Sequence, residues 1–440
     1  MNASKPRQRW RRLALALLLS GLALLALAVG WHNWGDLLGT APRASALDTR
    51  AATVQRGAYL ARAGNCIACH SARGGVAMAG GRGIDTPFGT VYSSNLTPDP
   101  ETGLGRWDTR DFWQALHHGR SRGGRLLAPA FPYEHTTLIT REDSDALFAW
   151  LRSLPPTRQA TPAHTLAWPL GTQAALAVWR TLFFEPQDWR ADPRQSAEWN
   201  RGAYLVQGLG HCAACHSPRN ALGASAGVGD LSGGVMPVQQ WYAPSLHSDA
   251  ESGLASTPLG EIVRLLRSGQ NAQAGVSGPM AEVVQHSLQH LSAEDLQAMA
   301  LYLQAQARVS APPAASTATV APARANTLAL GSKLYERHCA TCHGAQGEGV
   351  VGIYPALRGN RAVRLAEPAN LVQTVLFGGY APVTAGHPRP FGMPPFVLEL
   401  SDAEIAAILT HVRQGLQAQG TAASEVTPLQ VNRIRSESAQ

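Results

Sequence analysis

The sequence predicts a mainly α-helical protein in which three small helical domains follow one another behind an N-terminal membrane-spanning helix. Three observations carry this expectation. One N-terminal run is apolar enough to span a bilayer, all six cysteines fall in three like pentapeptides, and each pentapeptide lies in a repeat that opens on glycine and closes on a capped helix. A chain of 440 residues gives each repeat the length of an ordinary domain.

The first element is the apolar helix. Lys5, Arg7, Arg9, Arg11 and Arg12 precede Leu13–Val29, in which only Ser20 and Gly21 are not strongly apolar, and Trp31 and Trp34 follow. Basic residues stay cytoplasmic and tryptophans favour the interface, so the N-terminus lies inside and the bulk is exported. The run is close to the lower limit of about 17 residues for a spanning helix. The favoured reading is an uncleaved anchor in the bacterial inner membrane with the bulk in the periplasm. A cleaved signal, leaving a periplasmic protein, is the rival; its cleavage site would be Ala44–Ala46, farther from the run than the usual short spacer allows. Of the formal charge of +7, five charges sit in this leader, leaving +2. No nucleic-acid partner is expected from that balance.

The pentapeptides come next: Cys66, Cys69 and His70 in "CIACH", Cys212, Cys215 and His216 in "CAACH", Cys339, Cys342 and His343 in "CATCH". C-x-x-C-H is the spacing of covalent c-type haem attachment. Two thiols one short turn apart bond the two vinyl groups of a porphyrin edge, and the adjacent histidine becomes the proximal iron ligand. Zinc would need four ligands brought together, and a disulfide framework gives no reason for histidine after every second cysteine. The expectation is three covalently bound haem c groups.

The repeats then set the domains. Each motif follows a helical segment opening on Gly57, Gly202 or Gly331. Each repeat closes with a capping box: Thr140 with Asp143, Ser292 with Asp295, Ser401 with Glu404. Apolar residues at helical spacing follow each cap. Trp150, Tyr302 and His411 fall ten residues past the caps, where a closing helix would meet the glycine of the opening one. This resembles the single-haem class I cytochrome c fold, so the expectation is three tandem class I cytochrome c-like domains. The expected boundaries are 1–50 for leader and anchor, 51–190 and 191–306 for the first two domains, 307–327 for a Pro/Ala-rich linker, 328–418 for the third domain and 419–440 for a polar tail. The aromatic-rich join between the first two domains predicts one rigid pair; the linker predicts a hinged third domain.

The distal iron ligands decide between carrier and enzyme, since an electron-transfer haem has both axial positions filled. Met393 in "FGMPPF" is the third haem's candidate, 50 positions after His343, and Met280 is the second's, 64 after His216. Met236 lies too near His216, and Met299 belongs to a closing helix. The first domain differs. Its one methionine, Met78, is eight residues past His70, and Phe131 stands where "GMPPF" would place methionine. His135, 65 positions after His70, is the candidate there, with His117 and His118 as competitors. A second histidine predicts the lowest potential of the three, because methionine raises haem potential.

With "YSSNLTPDPETGLGRW" (Tyr92–Trp107), "SAEWNRGAYLVQGLGHCAACHSPRNALGA" (Ser196–Ala224), "GPMAEVVQHSLQHLSAEDLQAMALYL" (Gly278–Leu303) and "CATCHGAQGEGV" through "GMPPF", the chain resembles the membrane-bound triheme cytochrome c subunits of bacterial periplasmic dehydrogenases. The resemblance implies a catalytic partner subunit of flavin, quinoprotein or molybdenum type. It also implies electron flow through the haems to quinone or a terminal oxidase. Many alcohol and sugar dehydrogenase relatives read "PAMPY" in the first domain where this chain has "PAFPY" followed by Glu134 and His135. That departure points to the branch serving molybdenum hydroxylases or aldehydes. The alternative is a haem enzyme in its own right, a peroxidase or sulfur-compound oxidase using an open first haem.

Overall fold

The computed structural model describes residues 5–35, 44–309, 322–418 and 423–437. The middle of the expected linker, 310–321, and parts of the expected leader and tail lie outside the described residues. Helix α1 (Lys5–Trp34) contains one stretch, Trp10–Trp34, long and apolar enough to cross a membrane. Its leucines stand exposed, and only its final turns touch the rest of the protein.

The chain then builds the same helical unit three times. The first has α2 (Ala51–Ala63), α3 (Cys66–His70), the hairpin β1 (Gly83–Thr86) and β2 (Gly89–Tyr92), α4 (Thr109–His118), α5 (Tyr133–Thr136) and α6 (Arg141–Arg152). Helix α7 (Gln173–Phe183) follows. The second unit has α8 (Ala197–Tyr204), α9 (Ala213–His216), β3 (Gly234–Val235) and β4 (Tyr242–Ala243), α10 (Leu259–Ser268), α11 (Pro279–His286) and α12 (Ala293–Val309). The third has α13 (Ala325–His338), α14 (Ala340–His343), α15 (Arg361–Arg364), α16 (Ala369–Phe377), β5 (Gly379–Tyr380) and β6 (Gly392–Met393), α17 (Asp402–Thr410) and α18 (Pro428–Glu437). Each hairpin is antiparallel, with β1–β2 paired from Gly83 opposite Tyr92.

In every unit the opening helix crosses the closing helix at a glycine. A methyl group at Gly57 would overlap the Ala146 carbonyl and sit 2.8 Å from Trp150 Cβ. At Gly202 it would overlap the Ala298 carbonyl and sit 2.9 Å from Tyr302 Cβ; at Gly331, the Ala407 carbonyl and 2.9 Å from His411 Cβ. Only the missing Cβ lets the backbones approach this closely.

The closing helices begin as expected in one respect and differ in another. Thr140, Ser292 and Ser401 each accept the backbone N–H three residues on. The reciprocal bond that completes the box forms only in the third unit, where Glu404 accepts from the Ser401 N–H. Asp143 and Asp295 are turned elsewhere. Arg56 and the Tyr204 hydroxyl, from the neighbouring unit, both donate to Asp143. Arg201 and the Tyr59 hydroxyl, again from the neighbour, donate to Asp295. Both tyrosine bonds are 2.6 Å long.

These two reciprocal triads flank one continuous core shared by the first two units, including Leu60, Phe112 and Phe148 from one and Leu205, Leu296 and Tyr302 from the other. The third unit keeps its own core. It is nonetheless seated on the second rather than merely hinged to it. Asn370 exchanges two 2.8 Å bonds with the Tyr242 backbone, and the Gln373 amide donates to the Gln239 carbonyl. The expected polar tail also contains a helix: Val431 and Ile434 of α18 are buried in the third core, placed together by their i, i+3 spacing.

Candidate haem-attachment sites

Helices α2 and α13 end just before their motifs, α8 runs on through a π-helical turn (Leu205–Leu209) before its own, and each motif winds a new short helix. The break before the first two motifs is made by Asn65 (φ 48°) and His211 (φ 36°), both left-handed. All six cysteines are free. Burial pushes the Cys66 and Cys212 thiols up to about 12 and Cys339 to about 11. They are therefore neutral, whereas a reactive or metal-binding cysteine depends on a depressed pKa.

The three motif histidines share one arrangement. Nδ1 of His70 is 2.8 Å from the Ser94 carbonyl, that of His216 is 2.8 Å from Pro244, and that of His343 is 3.0 Å from Pro355. Burial holds all three imidazoles below their ordinary pKa. A neutral ring that donates from Nδ1 has its lone pair on Nε2, fixed in direction, as a metal ligand requires. The carbonyl strand reaches the histidine because a left-handed glycine lies beneath it. Gly80, Gly233 and Gly349 (φ 73°, 83° and 64°) donate their N–H to the carbonyls of His70, His216 and His343. A methyl group at Gly349 would sit 2.7 Å from the Pro355 carbonyl carbon, and one at Gly233 3.0 Å from that of Pro244. Sequence reasoning missed these supports. Their signal was a leucine two residues past each carbonyl, Leu96, Leu246 and Leu357, whose N–H groups bond back to the loop after the motif.

The distal candidates sit in three different settings. Met393 lies on β6 opposite Gly379, half-buried against the third core and stiffened by Pro394 and Pro395. Met280 follows Pro279 in the first turn of α11, half-buried against the shared core. Gly278 (φ 53°) carries it past the Trp241 indole, 2.6 Å from where a Cβ would lie. Met78 is buried in the shared core, and so is Met299. Phe131 packs on the same core.

His135 is buried on α5. Its Nδ1 is 2.8 Å from the Gln207 carbonyl, its ring centroid is 6.4 Å from that of His211, and its Nε2 is buried without a hydrogen-bond partner. Both neighbours belong to the chain leading into Cys212. Burial first, and the neighbouring His211 second, lower its pKa to about 4. His135 thus repeats the motif histidines' state: Nδ1 tied to a carbonyl, Nε2 free, ring neutral. Of its competitors, His117 stacks on Trp113 at 4.3 Å with Asp188 3.8 Å from its Nε2, and the His118 carbonyl accepts from Arg180.

The first two motifs approach each other across the shared core. Helix α11 packs on α3, Arg82 faces Glu282 at 3.6 Å, and Cys69 lies close enough to help raise the Cys215 thiol.

Comparison with known proteins bears on these sites. The cytochrome c family model matches residues 328–415. The chain is 39% identical over 411 residues to the cytochrome c subunit of a quinone-type alcohol dehydrogenase from Gluconacetobacter polyoxogenes, covering 89% of this chain and 87% of that one. It is 39% identical over 423 residues to a nicotinate dehydrogenase subunit of Pseudomonas putida, covering 94% of this chain and 34% of that longer protein. A diheme c-type cytochrome of Cereibacter sphaeroides is 35% identical over 254 residues, 56% of this chain and 84% of its own. A cytochrome c domain carries covalent haem c, and paired thiols beside an oriented imidazole are the donors that group requires. The chain belongs to the family of cytochrome c subunits of bacterial dehydrogenase complexes.

Proposed function

We propose that this chain is a triheme electron-transfer subunit, with three tandem class I cytochrome c-like domains. Haem c would be attached at Cys66 and Cys69, at Cys212 and Cys215, and at Cys339 and Cys342. The observation that supports the reading most is the threefold recurrence of a neutral imidazole, tied through Nδ1 to a glycine-supported carbonyl, beside two free thiols. Bound haem iron supplies one-electron oxidation and reduction. The chain's own residues do the rest. His70, His216 and His343 present Nε2 to the iron, and Met280 and Met393 offer sulfur to the second and third sites. His135 offers its free Nε2 to the first. The shared core keeps the first two sites at a fixed separation.

Electrons would enter from a catalytic dehydrogenase subunit of flavin, quinoprotein or molybdenum type, and leave to quinone or a terminal oxidase. Helix α1 would remain as an uncleaved anchor in the inner membrane, with the bulk in the periplasm. Supporting this, Asn33 of α1 is buried against the first unit and accepts from the Arg180 guanidinium at 2.8 Å. Cleavage after Ala46 would remove this hydrogen bond and the packing of Val29 and Trp34 beside it. The haem-enzyme alternative finds no support in relatives that are dehydrogenase subunits.

The test is to purify the complex from native membranes, identify the large subunit, and add its substrate without oxygen. The expected result is reduction of all three haems, each low-spin beforehand, with His135→Ala converting one to high-spin. Haems that stay oxidised with substrate, or peroxide turnover by this chain alone, would overturn the proposal.

A further inference from the structure

Helix α7 has no haem motif and an unusual outer face. Its exposed positions Ala174, Val178 and Leu182 recur every four residues and are all apolar. The one charged residue of the helix, Arg180, points inward and is 2% exposed. The loop before it adds two more exposed apolar side chains, Trp168, 86% exposed, and Leu170. An amphipathic helix of a soluble domain turns charge outward; this one does not.

The anchor docks on the neighbouring side of α7. Val29 and Trp34 pack on Leu176 and Ala177. Asn33 Nδ2 donates to the Ala177 carbonyl at 3.0 Å and to Thr181 Oγ1 at 3.1 Å, and His32 Nε2 lies 2.9 Å from the Phe184 carbonyl. The Arg120 guanidinium donates to the Asn33 carbonyl. Val29 ends the apolar run, and Asn33 lies only about 6 Å farther along the helix axis. The polar layer of one leaflet is roughly 5–8 Å deep. Helix α7 therefore sits at headgroup depth wherever α1 spans.

We propose that α7 and the Trp168–Leu170 loop form a second membrane contact. The apolar face would be sunk into the lipid interface beside the anchor, so that the first unit lies directly on the bilayer. The inference rests on α1 being a retained anchor. Buried polar bonds between α1 and α7 make the two a single body, so the anchor fixes orientation as well as proximity. Interfacial helices of this kind bind through the apolar area they insert, with tryptophan at the boundary.

The test uses the full-length holoprotein in phosphatidylcholine/phosphatidylglycerol nanodiscs with the haems kept reduced. Single nitroxide labels are placed at Val178→Cys, Leu182→Cys, Leu22→Cys in the anchor and Ser153→Cys on an exposed turn, and haem content confirms folding. Expected is an oxygen-to-nickel-chelate accessibility ratio severalfold higher at 178 and 182 than at 153, approaching that at 22. If 22 reads as lipid while 178 and 182 read as water, the second contact is wrong and the anchor stands. If 22 also reads as water, the anchor reading itself fails. Protection at 178 and 182 that appears only when the catalytic subunit is added would assign the face to that subunit and overturn the proposal.

Discussion

The junction between the first and second units and the junction between the second and third are built from different materials. The first shares a hydrophobic core and two crossed Arg–Asp–Tyr triads. The second joins separate cores through amide and backbone bonds around Asn370, Gln373 and Arg361. The cause is visible in the four residues at each opening glycine. Arg56-Gly57-Ala58-Tyr59 and Arg201-Gly202-Ala203-Tyr204 each supply the arginine of one triad and the tyrosine of the other, whereas Leu330-Gly331-Ser332-Lys333 has neither residue. Asp143 and Asp295 are accordingly drawn away from their own caps, and Glu404 stays on its cap. The pairing of the first two units thus draws on an arginine one residue before and a tyrosine two residues after each opening glycine, together with the shared core.

The largest effect should come from removing a motif. Cys212→Ala with Cys215→Ala should abolish native haem spectra in both of the first two units, because their core is shared. Cys339→Ala with Cys342→Ala should lose about one haem in three. Haem content and resolved spectra check this; equal losses would break the comparison. Next in size, Gly202→Val forces a side chain into the Ala298 carbonyl and should cost about 3 kcal/mol. It should unfold the first two units together, while Gly331→Val should unfold only the third. Thermal unfolding followed separately at each haem would show one transition or two.

Tyr204→Phe and Tyr59→Phe each remove a hydroxyl donated to a carboxylate, and each should cost about 1.5–3 kcal/mol. Acid offers a gentler probe of the Asp295 triad. Burial alone would raise Asp295, but bonds from Arg201 and Tyr59 outweigh it and leave the carboxyl below its ordinary value. A depressed carboxylate stabilises the fold above its unfolded pKa of about 3.9 and loses that contribution as pH falls through the folded value. Midpoints of the first two units should therefore fall in acid, and Tyr59→Phe should flatten that dependence. The smallest effect belongs to the second junction. Asn370→Ala should cost about 1 kcal/mol, loosening the third unit in hydrogen exchange without moving any unfolding midpoint of the first pair.

Much of this was legible in the sequence, and the rest was hidden for identifiable reasons. The three motifs, opening glycines and cap hydroxyls lie at fixed short spacings, so local chemistry reveals them. The failure of the reciprocal capping boxes at Asp143 and Asp295 was hidden because the competing hydroxyls, Tyr204 and Tyr59, lie 61 and 236 residues away along the chain. The carbonyls of Ser94, Pro244 and Pro355 are backbone atoms, marked in the sequence only indirectly by the leucine two residues past each, Leu96, Leu246 and Leu357. The helix α18 was concealed by its polar surface, although Val431 and Ile434 carried its buried face.

Everything returns to whether three haems are covalently joined to this polypeptide. The intact mass of the mature chain, measured under denaturing conditions, tests that most directly. The expected value is that of the uncleaved polypeptide plus three haem c groups; a mass corresponding to two or fewer would contradict it.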